Sequence, residues 1–242
     1  MKKTGGIKVK RGDKMKQIGK WNVYELIWLG LFCAVAIGIT IVTKDSFFGF
    51  TVFLTGVLCV VLTAKGNITS YIFGMYNTFG YAWLAYQNGL FGEVALNLLF
   101  FVPMNIVGFI MWKKHLDEGI VEMKRMNIKW ILITATICIV GTIALGYGLS
   151  LIKGQNSPFI DATTNLLSIV ATILMVKRYR EQWMVYIILN VFTVIMWSIR
   201  TAAGSPDGII MVVMWSAYLI NAFYGLYTWS KGASKQSEEV AA

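Results

Sequence analysis

A chain of 242 residues that is 57% hydrophobic and only 14% charged lacks the charge to wet the surface of a soluble domain, which carries about 25%. Its mean hydropathy is +0.62. With 22 Lys and Arg against 12 Asp and Glu, the net charge of +10 on so apolar a chain excludes a soluble nucleic-acid binder; one histidine and three cysteines leave little for a metal site or a disulfide framework. Those features specify a polytopic membrane protein with its charges in the loops.

Residues 1–25 form a basic arm, with Lys2, Lys3, Lys8, Lys10, Arg11, Lys14, Lys16 and Lys20, that reads as a solvated segment near anionic lipid. Eight apolar segments of about the length needed to cross a bilayer follow, at 26–43, 47–64, 68–88, 91–112, 130–152, 158–176, 182–200 and 208–230. The first begins too late and runs too long for a cleavable signal peptide. Gly74, Asn77 and Gly80 dilute the third, and Pro103 is placed to kink the fourth. Cys33, Cys59 and Cys138 lie inside spans and read as packing residues. Trp21, Trp112, Trp130, Trp183 and Trp229 fall at predicted inner ends, where an indole anchors well at the headgroup level. With the N-terminus inside, 19 of the 22 basic residues fall on the inner side and 3 on the outer, which predicts two cytoplasmic termini.

An internal repeat is visible at a separation of about 113 residues. Tyr71 to Asn77 faces Met184 to Asn190, and Asn105 to Lys113 faces Asn221 to Lys231 with small insertions. Spans two to four and six to eight then form parallel triplets, with span five inverting the chain between them. The expected fold is an all-α integral membrane protein of eight helices, one extra N-terminal helix plus 3+1+3. Its segments are the arm 1–25, the extra helix 26–46, a first repeat 47–115, a linker and connecting helix 116–153, a second repeat 154–231 and a cytoplasmic tail 232–242.

Asn77, Asn105, Asn190 and Asn221 lie near the centres of their spans, where a buried amide must find partners away from water. They serve either as interhelical glue or as ligand groups. Aromatic residues favour the second reading. Trp183, Tyr186, Asn190 and Trp197 share one helical face; Tyr218, Asn221, Tyr224 and Gly225 form another, with Trp215 at its outer edge. Amides bind hydroxyls and carboxamides, and ring faces attract a cationic ring, so the chemistry points to a nucleoside or a sugar. No charged residue occupies a span centre, and no phosphate-binding loop is present, so uncoupled facilitated diffusion is expected without ATP or any cofactor. Asp161 and Asp207 sit where they complement helix N-termini, and Glu93 at an outer end.

The stretch Asp161-Ala162-Thr163-Thr164, the opening Glu181-Gln182-Trp183-Met184-Val185-Tyr186 with Asn190, and Asn221-x-x-Tyr224 resemble the PnuC family of bacterial nicotinamide riboside transporters. The resemblance covers the chain from about residue 47 onward. It implies a fold related to the SWEET sugar transporters, a homotrimer in the bacterial inner membrane, and riboside import by facilitated diffusion with trapping by a cytoplasmic riboside kinase. The family's Trp-x-x-Trp appears here as Trp183 followed by Tyr186. Thiamine, another vitamin or a sugar are alternative cargoes. A passive channel and a membrane-embedded enzyme are the competing classes; no acid–base pair or activated nucleophile supports the enzyme, and no nucleic acid is implied.

Overall fold

The structure is a computed structural model that describes residues 21–43, 47–87, 91–117, 119–151, 158–202 and 208–241. Residues 1–20 of the predicted basic arm 1–25, and the loop residues that include Lys44, Lys153 and Asp207, lie outside the described residues.

Helix α1 (Val23–Thr43) begins three residues before the predicted span, for a local reason. Asn22 Oδ1 accepts the Glu25 N–H at 2.8 Å while Glu25 Oε2 accepts the Asn22 N–H at 2.9 Å, a reciprocal capping box. Helices α2 (Phe47–Ala64) and α3 (Ser70–Gln87) follow. They approach closely at Gly80, where an added Cβ would lie 2.4 Å from Val52 Cγ2. The fourth apolar segment is three pieces: α4 (Phe91–Leu96), a π turn over Asn97–Phe101, and α5 (Val102–Lys113). Pro103 sits in the first turn of α5. It has no N–H to offer the preceding turn, and its ring crowds the carbonyl four residues back. The helix therefore widens ahead of the proline.

The loop after α5 holds a small hairpin, β1 (Leu116–Asp117) and β2 (Ile120–Val121), with Gly119 supplying φ +86 at the turn. Next come α6 (Ile128–Ser150), capped by Asn127, then α7 (Pro158–Val176), α8 (Gln182–Ala202) and α9 (Gly208–Ala241). α6 meets α7 at Gly141, beneath Leu166, and at Gly146, beneath Phe159. The predicted tail 232–242 is helical through Ala241, because beyond Gly232 no Gly or Pro stops the helix.

Among the described residues, five helical stretches are long and apolar enough to cross a membrane: 47–64, 94–113, 128–150, 158–176 and 182–199. α1 adds a shorter apolar stretch, Val23–Val35. The chain divides into two compact units, residues 1–123 with 235–242 and residues 124–234. The division falls inside the predicted linker, so α6 belongs to the second unit.

Each unit contains the same turn. After α2, Gly66 N–H bonds to Thr63 O and Asn67 N–H to Leu62 O, both at 2.9 Å, with Gly66 at φ +66. After α7, Arg178 N–H bonds to Met175 O and Tyr179 N–H to Leu174 O, both at 2.9 Å, with Arg178 also at φ +66. These are Schellman caps. In the first unit Val121 N–H bonds to Gly66 O, and in the second Lys124 N–H bonds to Arg178 O, each at 2.8 Å. The turns are 112 residues apart, which pairs Tyr71 with Trp183 and Thr78 with Asn190. The register read from sequence was about 113 and paired Asn77 with Asn190.

Candidate functional site

In the second unit, the Glu181 carboxylate holds the start of α8. Its Oε2 accepts the Met126 N–H at 3.0 Å and its Oε1 accepts Arg180 Nε at 3.0 Å. Arg180 also donates to Ser230 Oγ on α9 at 3.2 Å. Charge-assisted bonds of this kind resist reorientation. The first turn of α8 thus has a fixed base for the residues above it.

Trp183 stands in that turn and is almost fully buried. An added Cβ at Gly225 would lie 2.5 Å from the Trp183 ring atoms, so the indole rests on the bare backbone of α9. Trp229, one turn further along α9, meets the same indole edge-on at 6.3 Å between centroids. The first unit repeats the arrangement with Tyr71, Gly108 and Trp112: an added Cβ at Gly108 would lie 2.3 Å from Tyr71 Cε1, and the two rings meet edge-on at 5.0 Å. Trp112 and Trp229 are both fully buried. Their expected role as headgroup anchors is thereby corrected: a glycine four residues earlier opens a notch, and the tryptophan closes it. Trp21 and Trp130 remain exposed. Lys65 Nζ lies 4.6 Å over the Trp21 ring.

Tyr186 lies 5.8 Å from Trp183 with the rings tilted by 51°; with Trp183 buried, only the half-buried Tyr186 ring can offer a face to a flat ligand. Asn190, one turn further along α8, is buried, and Trp197 above it is half-buried. On α9, Asn221 is buried, Tyr218 and Tyr224 are half-buried, and Trp215 packs edge-on against Tyr218 at 5.5 Å. Of the amide–aromatic set expected on these two helices, ring contacts join Trp183 to Tyr186 and Trp215 to Tyr218.

Asn77 and Asn105 belong to the first unit, and their amide donors are engaged there. Asn77 Nδ2 donates to Val52 O at 2.7 Å. Asn105 Nδ2 donates to Phe101 O at 2.9 Å and to Thr78 Oγ1 at 3.3 Å. Both amide nitrogens thus donate within the unit, and Asn105 also lines a groove together with Tyr71, Tyr76 and Phe109.

Two features escaped the sequence reading. α7 carries a polar face of Asp161, Thr164, Asn165, Ser168 and Thr172, spaced by three and four. Asn165 Nδ2 donates to Asp161 O at 2.8 Å, and Ser168 and Thr172 hydroxyls donate to the carbonyls four residues back. The helical period of this face is legible in the sequence. Gln182 is fully buried, and neither atom of its amide has a hydrogen-bond partner among the described residues. A buried amide left so costs about 1–3 kcal/mol, which marks it as a group to account for.

The sequence profile of the family described as "Nicotinamide mononucleotide transporter" matches residues 46–231. The chain belongs to this family. A nicotinamide riboside transporter PnuC of Neisseria mucosa is 34% identical over 243 residues, covering 98% of this chain and 92% of that protein. The PnuC of Haemophilus influenzae is 32% identical, covering 90% and 94%. A crystal structure titled as the vitamin B3 transporter PnuC superposes with a TM-score of 0.77 at 33% identity, over 92% of this chain and 97% of that one. These relatives are named as transporters rather than enzymes. With its apolar helices, the chain is a multi-pass membrane protein of that transporter family.

Proposed function

We propose that this chain carries nicotinamide riboside into the bacterial cytoplasm by facilitated diffusion. The observation that carries the reading is the α8 face on which Tyr186 and Trp197 flank the buried Asn190, with Asn221 and Tyr224 in the same unit on α9. The riboside's cationic ring is attracted to tyrosine and tryptophan faces, and its ribose hydroxyls and carboxamide match buried amides. Asn190 and Asn221 bind those polar groups. Tyr186, Trp197, Trp215, Tyr218 and Tyr224 supply stacking and closure, while Trp183 positions Tyr186 from below. Asn77 and Asn105 hold the first unit together.

The family's description speaks of the mononucleotide, and the named relatives of the riboside. The charge pattern favours the riboside. Residues 182–199 and 208–230 contain no Lys, Arg or His, so a phosphate at that depth has no cation to meet. Accumulation then depends on a cytoplasmic kinase that phosphorylates the riboside. The matching turns 112 residues apart support a duplicated three-helix plan of the SWEET kind joined through α6. The distribution of basic residues supports both termini on the cytoplasmic side. A homotrimer follows from the resemblance.

Isothermal titration of purified protein with the riboside tests the assignment. Asn190→Ala and Asn221→Ala are each expected to weaken binding by about tenfold or more, as loss of a buried hydrogen bond does. Thiamine and the mononucleotide are expected to compete poorly. Wild-type affinity in both variants, or equal competition by thiamine, would overturn the reading.

A further inference from the structure

Gln182, the first residue of α8, is fully buried, and neither Oε1 nor Nε2 has a hydrogen-bond partner among the described residues. The Glu181 carboxylate beside it is turned to the Met126 N–H and Arg180 Nε instead. Trp183 Nε1, next along the chain, is buried without a partner as well. Among the described residues, the unmatched buried side-chain polar atoms of α8 thus all lie in its first turn. Buried polar groups are normally paired, so such a gathering of donors and an acceptor is a place for a polar ligand group to dock.

Gln182 also lies on the carrier face. Residues 182, 186 and 190 are spaced by four, so Gln182, Tyr186 and Asn190 form one row along α8. Neighbours in the row are about 6 Å apart along the helix axis, and its two ends about 12 Å. The row runs amide, ring, amide. Nicotinamide riboside runs carboxamide, ring, ribose.

The first unit has the same positions without the same groups. In the 112-residue register, Ser70, Gly74 and Thr78 stand where Gln182, Tyr186 and Asn190 stand. Asn105 fills that row from α5: its Oδ1 lies 2.9 Å from where a Cβ on Gly74 would be, and its Nδ2 donates to Thr78 Oγ1. The notches at Gly108 and Gly225 are 117 residues apart, which puts Ala222 of α9 in the place of Asn105. The second unit presents a methyl group where the first presents a filling amide, and carries the amides in its own row.

The chemistry of the pairing selects one end of the cargo. A glutamine amide offers N–H donors and a carbonyl acceptor side by side. A primary carboxamide answers both at once, its oxygen accepting from Nε2 and its NH2 donating to Oε1. A ribose hydroxyl answers one at a time. We propose that Gln182 is a specificity-determining residue that pairs with the cargo's carboxamide, with the pyridinium ring on Tyr186 and the ribose at Asn190. This assignment rests on the riboside reading above and adds the orientation of the cargo, carboxamide toward the start of α8.

Isothermal titration of the full-length protein with nicotinamide riboside and with 3-acetylpyridine riboside, in which a methyl group replaces the carboxamide NH2, tests it. Wild type is expected to bind the riboside about tenfold more tightly than the ketone, the worth of one hydrogen bond to Oε1. Gln182→Met, close in shape but without the amide, is expected to bind the riboside about tenfold more weakly and to bind both ligands alike. Its ligand-free melting temperature should hold or rise, because an unmatched buried amide has been removed. Gln182→Glu keeps an acceptor and gives up the N–H donors, so it is expected to widen the preference, the ketone having only an oxygen to offer; it decides the matter if Gln182→Met fails to fold. Equal binding of the two ligands by wild type, or an unchanged preference in either variant, refutes the proposal and leaves the riboside reading intact. So does a Gln182→Met protein that is less stable and loses both ligands equally, which would make the residue structural. A wild type that binds neither ligand overturns the riboside reading itself, and this assignment with it.

Discussion

Gly225 and Gly108 have no space for a methyl group, because a rigid ring already lies where the Cβ would go. The far end of a flexible side chain could yield, but an indole or phenol in contact with backbone cannot move without shifting the helix that carries it. Both Gly→Ala substitutions are therefore expected to destabilise the fold, by about 1–3 kcal/mol each. They should differ in function. Gly225→Ala displaces Trp183, on which Tyr186 rests at 5.8 Å, so riboside affinity should fall together with stability. Gly108→Ala displaces Tyr71 in the other unit, and affinity should stay near wild type wherever the protein is folded. Thermal melts paired with riboside titration check both; equal loss of affinity would show that the two notches serve one site. The pattern Gly-x-x-x-Trp occurs in both halves of the sequence, at Gly108–Trp112 and Gly225–Trp229, and was legible there. What sequence position could not tell was which way the ring faces, and so two packing tryptophans read as membrane anchors.

At the scale of elements, α1 is joined to the turn after α2 by a buried ion pair. Glu25 Oε2 and Lys65 Nζ are 2.5 Å apart, with side chains 2% and 1% exposed. Glu25 is also the residue that closes the N-terminal capping box, so one carboxylate starts the helix and docks it. Removing one partner leaves the other charge buried and alone, which typically costs about 3–5 kcal/mol. Lys65→Met is accordingly expected to destabilise strongly. The double variant Lys65→Met, Glu25→Gln should recover much of the loss, and a double-mutant cycle on unfolding reads the coupling directly. Additive losses would mean the pair does not hold α1. The pair was invisible in the sequence because Glu25 lies one residue before the drawn span and was counted with the arm. The helices themselves were legible, since long apolar runs leave few alternatives in a bilayer. The π turn, the hairpin and the Schellman turns were not, because each depends on where a single backbone group finds its partner. Arg178 shows the limit. It adopts the positive φ that Gly66 adopts in the other unit, and nothing in its residue type announces that.

For the molecule as a whole, the placement of charge decides what can drive transport. Ion coupling needs a group at the carrier site that takes up or ligates the ion as the cargo moves. The described acids are elsewhere. Glu25 and Glu181 are buried in contacts at helix starts, and Asp161 lies in the first turn of α7. The amide–aromatic face of α8 and α9 offers no charge at all between Gln182 and Ile199 or between Gly208 and Ser230. Under the proposed facilitated diffusion, the carrier would equilibrate the riboside without concentrating it. In proteoliposomes, uptake should saturate with riboside concentration and reach the same internal level with or without an imposed proton or sodium gradient. Enclosing a riboside kinase with ATP should raise total internal label well above that level, all of it as phosphorylated product. Gradient-driven accumulation of unmodified riboside would show that a coupling group has been missed. Non-saturating flux would identify a channel instead. The experiment therefore tests the carrier reading through the property that the chain's sparse charge dictates.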